Sequence, residues 1–444
     1  MKKLISIIYV LLTVVCLPLV VFAEGQPAIN SGDTAFIMIS AGLVFVMTPG
    51  LALFYGGMVR KKNVLNTMMN SFVIIALISI QWVLFGYTIA FGQDKLSLFG
   101  GLNFLGFNGV GVAPNLDYAA TIPHAAFALF QMMFAIITPA LITGAFAERM
   151  RFPALIAFIF LWATFVYDPL AHWVWGAGGW LKTLGALDFA GGNVVHISSG
   201  VAGLVAALVL GKRKGYRTSA MLPHNIPFVL LGAALLWFGW FGFNAGSSLS
   251  ANGLAVSAFV VTNTSAAAAV LSWVAIEWMH HGKATLLGAA TGAVVGLVAI
   301  TPGAGYVSPI AAIIIGLLVS PICYFAISVV KSKLGYDDSL DAFGCHGIGG
   351  IWGGLATGLF ASKEVNPAGA DGLFFGNPAQ LGIQALSILA TIALSAILTF
   401  IILKAISVFI RLRVSEDDEE EGLDVTQHGE DAYPDFTVEN GMAM

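Results

Sequence analysis

Charge is what this 444-residue chain has least of: only 10% of its residues are Asp, Glu, Lys or Arg. Soluble globular domains carry about 25% charged and roughly 45–50% apolar residues, whereas here 58% are hydrophobic. No soluble core absorbs that much apolar surface, so most of the chain must face lipid or other apolar helices. The weak net charge of −4, with much of the acid in the C-terminal tail, gives no footprint for a nucleic-acid partner. Cysteine is scarce too. Cys16, Cys323 and Cys345 lie in apolar segments without disulfide-framework or metal-ligand spacing and read as structural thiols. No nucleophile–base pair or metal cluster supports an enzyme, and no cofactor is implied.

What is abundant is apolar sequence, and it begins at once. Lys2 and Lys3 precede an apolar run that ends in Val21-Phe22-Ala23, a small-residue cleavage site before Glu24. Residues 1–23 therefore read as a signal peptide, with an additional transmembrane helix as the alternative. Thr13-Val14-Val15 before Cys16 lacks the small residue that a lipoprotein signal needs. Cleavage places the mature N-terminus outside the cytoplasm. A bilayer core of about 30 Å takes about 20 apolar residues per helix. By that rule the membrane domain, 24–413, has eleven spans at about 34–59, 65–91, 122–147, 152–171, 193–211, 225–246, 254–279, 284–301, 306–330, 342–362 and 380–410. Residues 414–444 follow as a soluble cytoplasmic tail.

Lys and Arg placement tests that count. With the N-terminus outside and the C-terminus inside, the inner connections hold Arg60, Lys61, Lys62, Arg149, Arg151, Lys212, Arg213, Lys214, Arg217, Lys283, Lys331, Lys333, Arg411 and Arg413. The outer ones hold only Lys95, Lys182 and Lys363. This is the positive-inside bias, and a miscounted span would mix the two sets. The fold class is thus an all-α polytopic membrane protein. Ten spans divide into halves of five, and an odd number per half makes the second half an inverted repeat, with a substrate path expected at the interface. Asp188 and His196 near the fifth span match Asp341 and His346 near the tenth, although their spacings differ, eight residues against five.

Ionisable residues inside spans are costly and default to functional roles. His196 and His346 are each followed by a glycine-rich helix segment, and small residues let helices approach closely enough for two imidazoles to meet. The alternative is an interhelical hydrogen bond with no part in transport. No third ligand near them suggests a metal. Phe130 and Phe134, four residues apart, share a helix face, and alone they read as core or lipid contact. Trp173, Trp175 and Trp180 are equally compatible with an interfacial belt or with a cation site, since aromatic faces attract desolvated cations.

The run Asp188-Phe189-Ala190-Gly191-Gly192-Asn193-Val194-Val195-His196 resembles the signature segment of the Amt/Rh ammonium transporter family. Trp240 to Ser247 is similar to that family's sixth-helix motif, and Phe343-Gly344-Cys345-His346-Gly347 to its tenth-helix motif. The tail, with Gly422-Leu423-Asp424-Val425 and His428-Gly429-Glu430, resembles the bacterial Amt branch. The resemblance implies an outer ammonium site formed by Trp175, Ser247 and Phe130, with a gate of Phe134 and Phe243 beneath it. It further implies twin pore histidines at His196 and His346 serving as a proton relay, and an architectural carboxylate at Asp188. It implies a homotrimer in the lipid of the inner membrane, and a PII-type signal protein as cytoplasmic partner of the tail.

The expected chemistry is capture of ammonium by π-faces and an acceptor hydroxyl, deprotonation, and passage of ammonia through an apolar pore. One difficulty attends it. Helices five and ten start from opposite sides, and at 1.5 Å per residue straight helices would hold the two rings apart unless they begin deep or cross steeply. In the tail, Glu416 to Glu421 is a like-charge block of the kind that is solvated and disordered. Alternative functions are an ammonium sensor acting through a partner and a channel for a neutral gas.

Overall fold

The computed structural model describes residues 28–433. The signal-peptide reading, 1–23, and the last residues of the tail lie outside that range. Among the described residues, nine helices are long and apolar enough to cross a membrane. They are α1 (Ser31–Met58), α2 (Lys61–Phe91), α3 (His124–Phe146), α4 (Phe152–Leu184, interrupted at 176–179), α5 (Gly192–Leu210), α6 (Ile226–Gly246), α7 (Gly253–His281), α9 (Pro309–Leu334) and α11 (Pro378–Phe409). Two shorter apolar helices stand where the sequence places the eighth and tenth spans. These are α8 (Leu286–Ile300) and α10, a π-helical turn Phe343–Gly347 continued by Ile348–Phe360. The body is a mostly helical, polytopic fold.

Local chemistry fixes where these helices start. Side chains of Asn30, Asn225, Asn252, Thr285 and Ser308 each accept the backbone N–H three residues on, satisfying one of the orphan donors of a helix N-terminus. Pro227, Pro309 and Pro378 sit in the first turn, where the missing N–H costs nothing. In α1 and α6 small residues bring backbones into contact. A Cβ added at Gly50 would lie 2.9 Å from Leu235 Cβ, and one at Gly232 would be 2.6 Å from the Gly50 carbonyl oxygen. Such close approach replaces the hydrophobic drive that lipid does not supply.

The connections sort onto two ends. At one end Glu148, almost fully buried, accepts hydrogen bonds from the Arg60 backbone (2.8 Å), Asn63 Nδ2 (3.0 Å) and Arg213 Nη1 (2.9 Å). Asp337 accepts from Arg213 Nε (2.9 Å) and Nη2 (2.8 Å), and Arg149 Nη2 donates to the Asp337 carbonyl at 2.6 Å. The connections around Arg60, Arg149, Arg213 and Asp337, which the charge bias assigns to one side, therefore meet in one largely buried network of ion pairs and hydrogen bonds.

The tail corrects the expectation of disorder. Glu416–Glu421 forms a short helix, α12. Ser415 caps it through a capping box with Asp418, and acidic residues suit a helix N-terminus. Repulsion among the carboxylates is offset from outside: Glu419 pairs with Arg413 at 2.6 Å and accepts the Lys214 backbone N–H at 2.6 Å, while Lys214 pairs with Glu420 at 2.8 Å. Further on, Asp424 accepts the Asn66 backbone N–H at 2.8 Å, and Leu423 N–H donates to Asn63 Oδ1 at 2.9 Å.

Candidate functional site

Both histidines are delivered by the same device. Asp188 is buried, and its carboxylate accepts four backbone N–H groups: Gly191 (2.7 Å), Gly192 (2.6 Å), Asn193 (2.7 Å) and Val194 (3.3 Å). Asp338, also buried, accepts those of Ala342 (3.1 Å) and Phe343 (2.8 Å). Three residues beyond each aspartate stands a left-handed residue, Gly191 (φ 118°) and Asp341 (φ 58°). A π-helical turn follows, Gly192–Ile197 in one half and Phe343–Gly347 in the other. The histidine comes eight residues after the aspartate in both halves. The counterpart of Asp188 is therefore Asp338. Asp341, the residue matched from sequence, instead pairs with Lys331 at 2.6 Å. Equal spacing to the two histidines was the signal available in the sequence.

This arrangement answers how the rings meet. The segments before α5 and α10 are buried in the protein: Leu187, Asp188, Asp338 and Leu340 are all buried, as is Asp337 beside them in the Arg213 network. Gln384 on α11 pins the first of them, accepting the Leu187 N–H and donating to its carbonyl, both at 2.7 Å. The helices then touch through glycines twelve residues after each aspartate. A Cβ on Gly200 would lie 2.5 Å from Gly347 Cα, and one on Gly350 would lie 2.9 Å from Ile197 Cγ1 and 3.2 Å from His196 Cβ. Across this contact the two Nδ1 atoms stand 3.3 Å apart, with ring centroids 5.4 Å apart and planes at 21°. A single proton between two Nδ1 atoms makes one ring the donor and the other the acceptor. Trp240 stacks on His196 at 5.4 Å and donates its Nε1–H to Thr301 Oγ1 at 2.8 Å. The Nε2 atom of His196 is buried without a partner.

Two cavities flank an aromatic plug. The outer, of about 370 Å³, is lined by Trp175, Ser247, Asp188, Phe134, Tyr118 and Lys182, among others. The inner, about 10 Å³, has room for about one water-sized molecule. Its walls are apolar (Met47, Leu51, Leu141, Leu236, Val294) apart from His196 and His346. Phe134 borders the outer cavity and Phe243 the inner, and their ring centroids are 4.3 Å apart. Trp175 stands edge-on to Phe134 at 5.8 Å, its indole N–H held by the Asp188 carbonyl at 2.9 Å. Asp188 thus fixes the outer tryptophan with its backbone and the start of the histidine helix with its side chain. The Ser247 hydroxyl donates to the Phe243 carbonyl at 2.9 Å, which leaves its lone pairs to accept.

Of the residues singled out from sequence, Trp175, Ser247, Phe134, Phe243, His196, His346 and Asp188 all border one of the two cavities. Phe130 does not: it is fully buried, 5.0 Å edge-on to Phe134, and a Cβ on Gly246 would meet it at 2.8 Å. Phe127 and Gln131 line the outer cavity in its place. Neither these nor Tyr118 and Lys182 carried a sequence signal, since each lies in ordinary helix or loop composition.

A polar vestibule, an aromatic plug and a small apolar cavity set with two imidazoles, all inside a polytopic helical body, mark a membrane transporter of a small solute. The chain belongs to the Ammonium Transporter Family, whose family model matches residues 35–433. An ammonium transporter of Bacillus subtilis (strain 168) is 58% identical over 404 residues, covering 91% of this chain and 99% of that protein. The crystal structure of Saccharomyces cerevisiae Mep2 matches with a TM-score of 0.82 and 37% identity, over 88% of this chain and 92% of that one. A solved structure described as a sensor Amt protein matches at 0.83 with 30% identity, over 89% and 98%.

Proposed function

We propose that the protein carries ammonium nitrogen across the inner membrane of the cell, recruiting the cation outside and passing ammonia inward. The observation that carries this reading is the plug: a polar vestibule and a small apolar cavity are separated by the closely packed Phe134 and Phe243 rings, tilted at 37°. A cation loses most of its hydration to pass such rings, at a cost that neutral ammonia does not meet. In the vestibule the Trp175 and Phe134 faces and the Ser247 oxygen replace part of the hydration shell, with Phe130 backing the aromatic wall. Ammonium, unlike potassium, donates directed hydrogen bonds and then surrenders a proton. Below the plug His196 and His346 accept hydrogen bonds from ammonia and relay the proton, while Asp188 holds the frame.

In this reading all eleven helices cross the bilayer as two inverted halves of five plus α11, with the network around Glu148 and Arg213 facing the cytoplasm. The docked tail is the surface for a PII-type signal protein, and the protein works as a homotrimer. Uptake of radiolabelled methylammonium by proteoliposomes of the purified protein tests the function: accumulation above empty liposomes is expected, and its absence refutes transport. A sensor acting through a partner is the second reading, supported by the likeness to a sensor Amt protein. It predicts ammonium-dependent partner binding with no flux.

A further inference from the structure

The vestibule already holds an ammonium group, and it is the protein's own. Lys182, beyond the interruption in α4, donates from Nζ to the Trp175 carbonyl at 3.0 Å. The same Nζ lies over the Tyr118 ring, 6.0 Å from its centroid. That ring is fixed: it stacks on Phe127 at 4.9 Å and 11°, its hydroxyl donates to the Phe91 carbonyl at 2.7 Å, and it accepts the Ala177 N–H at 3.3 Å. Asp117, the residue before it, lines the same cavity. A carbonyl oxygen, an aromatic face and a neighbouring carboxylate make a seat for a primary ammonium, sharing with the deeper site an acceptor oxygen and an aromatic face.

Charge balance in the vestibule gives this seat a consequence. The charged side chains lining it are Asp117, Lys182 and Asp188. Asp188 is committed to four backbone N–H groups. Lys182 is therefore balanced only by Asp117, and its charge stands on the residue that presents the Trp175 indole. We propose that Lys182 is a tethered cation that fills an anteroom seat above Trp175 and sets the affinity for external ammonium by like-charge repulsion. The proposal rests on the transport reading given above. A lysine that instead merely braces the Trp175 backbone would act through packing, and packing is indifferent to salt.

Half-saturating concentrations for methylammonium uptake into proteoliposomes, at low and high choline chloride, separate these cases. Across a partly hydrated vestibule, removing one unit charge changes affinity by about 2–5-fold at low ionic strength. Lys182→Met is expected to lower the half-saturating concentration by that factor, with the difference shrinking at high salt as screening sets in. Asp117→Asn is expected to raise it, and Lys182→Arg, which keeps the charge, to shift it much less than Lys182→Met. An unchanged or raised value in Lys182→Met, or a fall that high salt does not diminish, overturns the proposal while wild-type uptake stands. Absence of uptake in the wild type overturns the transport reading and this proposal with it.

Discussion

Substitution of Gly200 by alanine tests how the twin-histidine geometry is held. The added Cβ would lie 2.5 Å from Gly347 Cα and 3.0 Å from the His346 carbonyl carbon, both backbone atoms that cannot rotate away. Ordinary carbon–carbon contact needs about 3.5 Å or more, so α5 and α10 must separate by roughly 1 Å. The Nδ1 atoms, 3.3 Å apart, would then stand beyond hydrogen-bond range. Overpacking of this kind costs about 1–3 kcal/mol, a modest loss for a protein this large. The expected result is a folded protein with a thermal midpoint a few degrees lower and methylammonium uptake reduced at least tenfold. Gly42→Ala is the control: nothing lies within 4 Å of its added Cβ, so uptake is unchanged and helix propensity favours alanine by about 0.5–1 kcal/mol. Uptake and stability are read on the same preparations. If Gly200→Ala transports at the wild-type rate, contact between the rings is irrelevant to conduction.

Three further outcomes are expected. Glu148 is held at about 2: burial acts to raise it, but the Arg213 and Arg60 guanidiniums overcome that. Against an unfolded value of about 4.3, this contributes on the order of 3 kcal/mol above that pH, lost as pH falls toward 2. The thermal midpoint of the wild type should therefore drop over that window, while Glu148→Gln is already lower at neutral pH and falls less across it, the remaining fall coming from carboxylates such as Asp337; an equal drop in both would discount the role of Glu148. Trp175→Leu removes about 0.5–2 kcal/mol of cation–π attraction and should raise the half-saturating concentration with the fold intact; an unchanged concentration dependence would make Trp175 a belt residue. Single cysteines near Lys95 or Lys363 should react with an impermeant thiol reagent added outside, and one near Lys214 should not. Labelling only at Lys214 would reverse the orientation.

Much of this was legible in the sequence because membrane helices announce themselves by length and composition, and because histidines within apolar segments are rare enough to stand out. Apart from α4, which runs on past its expected end at 171 to Leu184, the helices fall within a few residues of their expected places, and the motif residues Trp175, Ser247, Phe243 and His346 border the two cavities beside the plug. What stayed hidden depended on backbone paths between helices. The meeting of His196 and His346 rests on buried segments capped by Asp188 and Asp338, and periodicity says nothing about where a non-helical segment runs. Asp338 was passed over for Asp341, which lies nearer to His346 in sequence but faces Lys331. The acidic run of the tail looked disordered because its stabilising partners, Lys214 and Arg413, lie outside it. Phe130 shares a helix face with Phe134, yet it is packed behind Phe134 and against Gly246 and does not reach the cavity that Phe134 borders.

The repeated device around the histidines has a consequence for direction. Two rings presented by equivalent turns are nearly interchangeable, but the single proton between their Nδ1 atoms cannot be shared evenly at 3.3 Å. One ring must offer a donor at its far nitrogen and the other an acceptor, so the pair carries a polarity that its frame lacks. A proton hop across that gap, with matching transfers at the Nε2 atoms, reverses the polarity without moving a helix. In the proposed transport reading, the likeness of the two turns means that the backbone frame favours neither inward nor outward passage. A preference then comes from what the repeat does not duplicate: Trp240 stacked on His196, and the vestibule of Trp175, Tyr118 and Lys182.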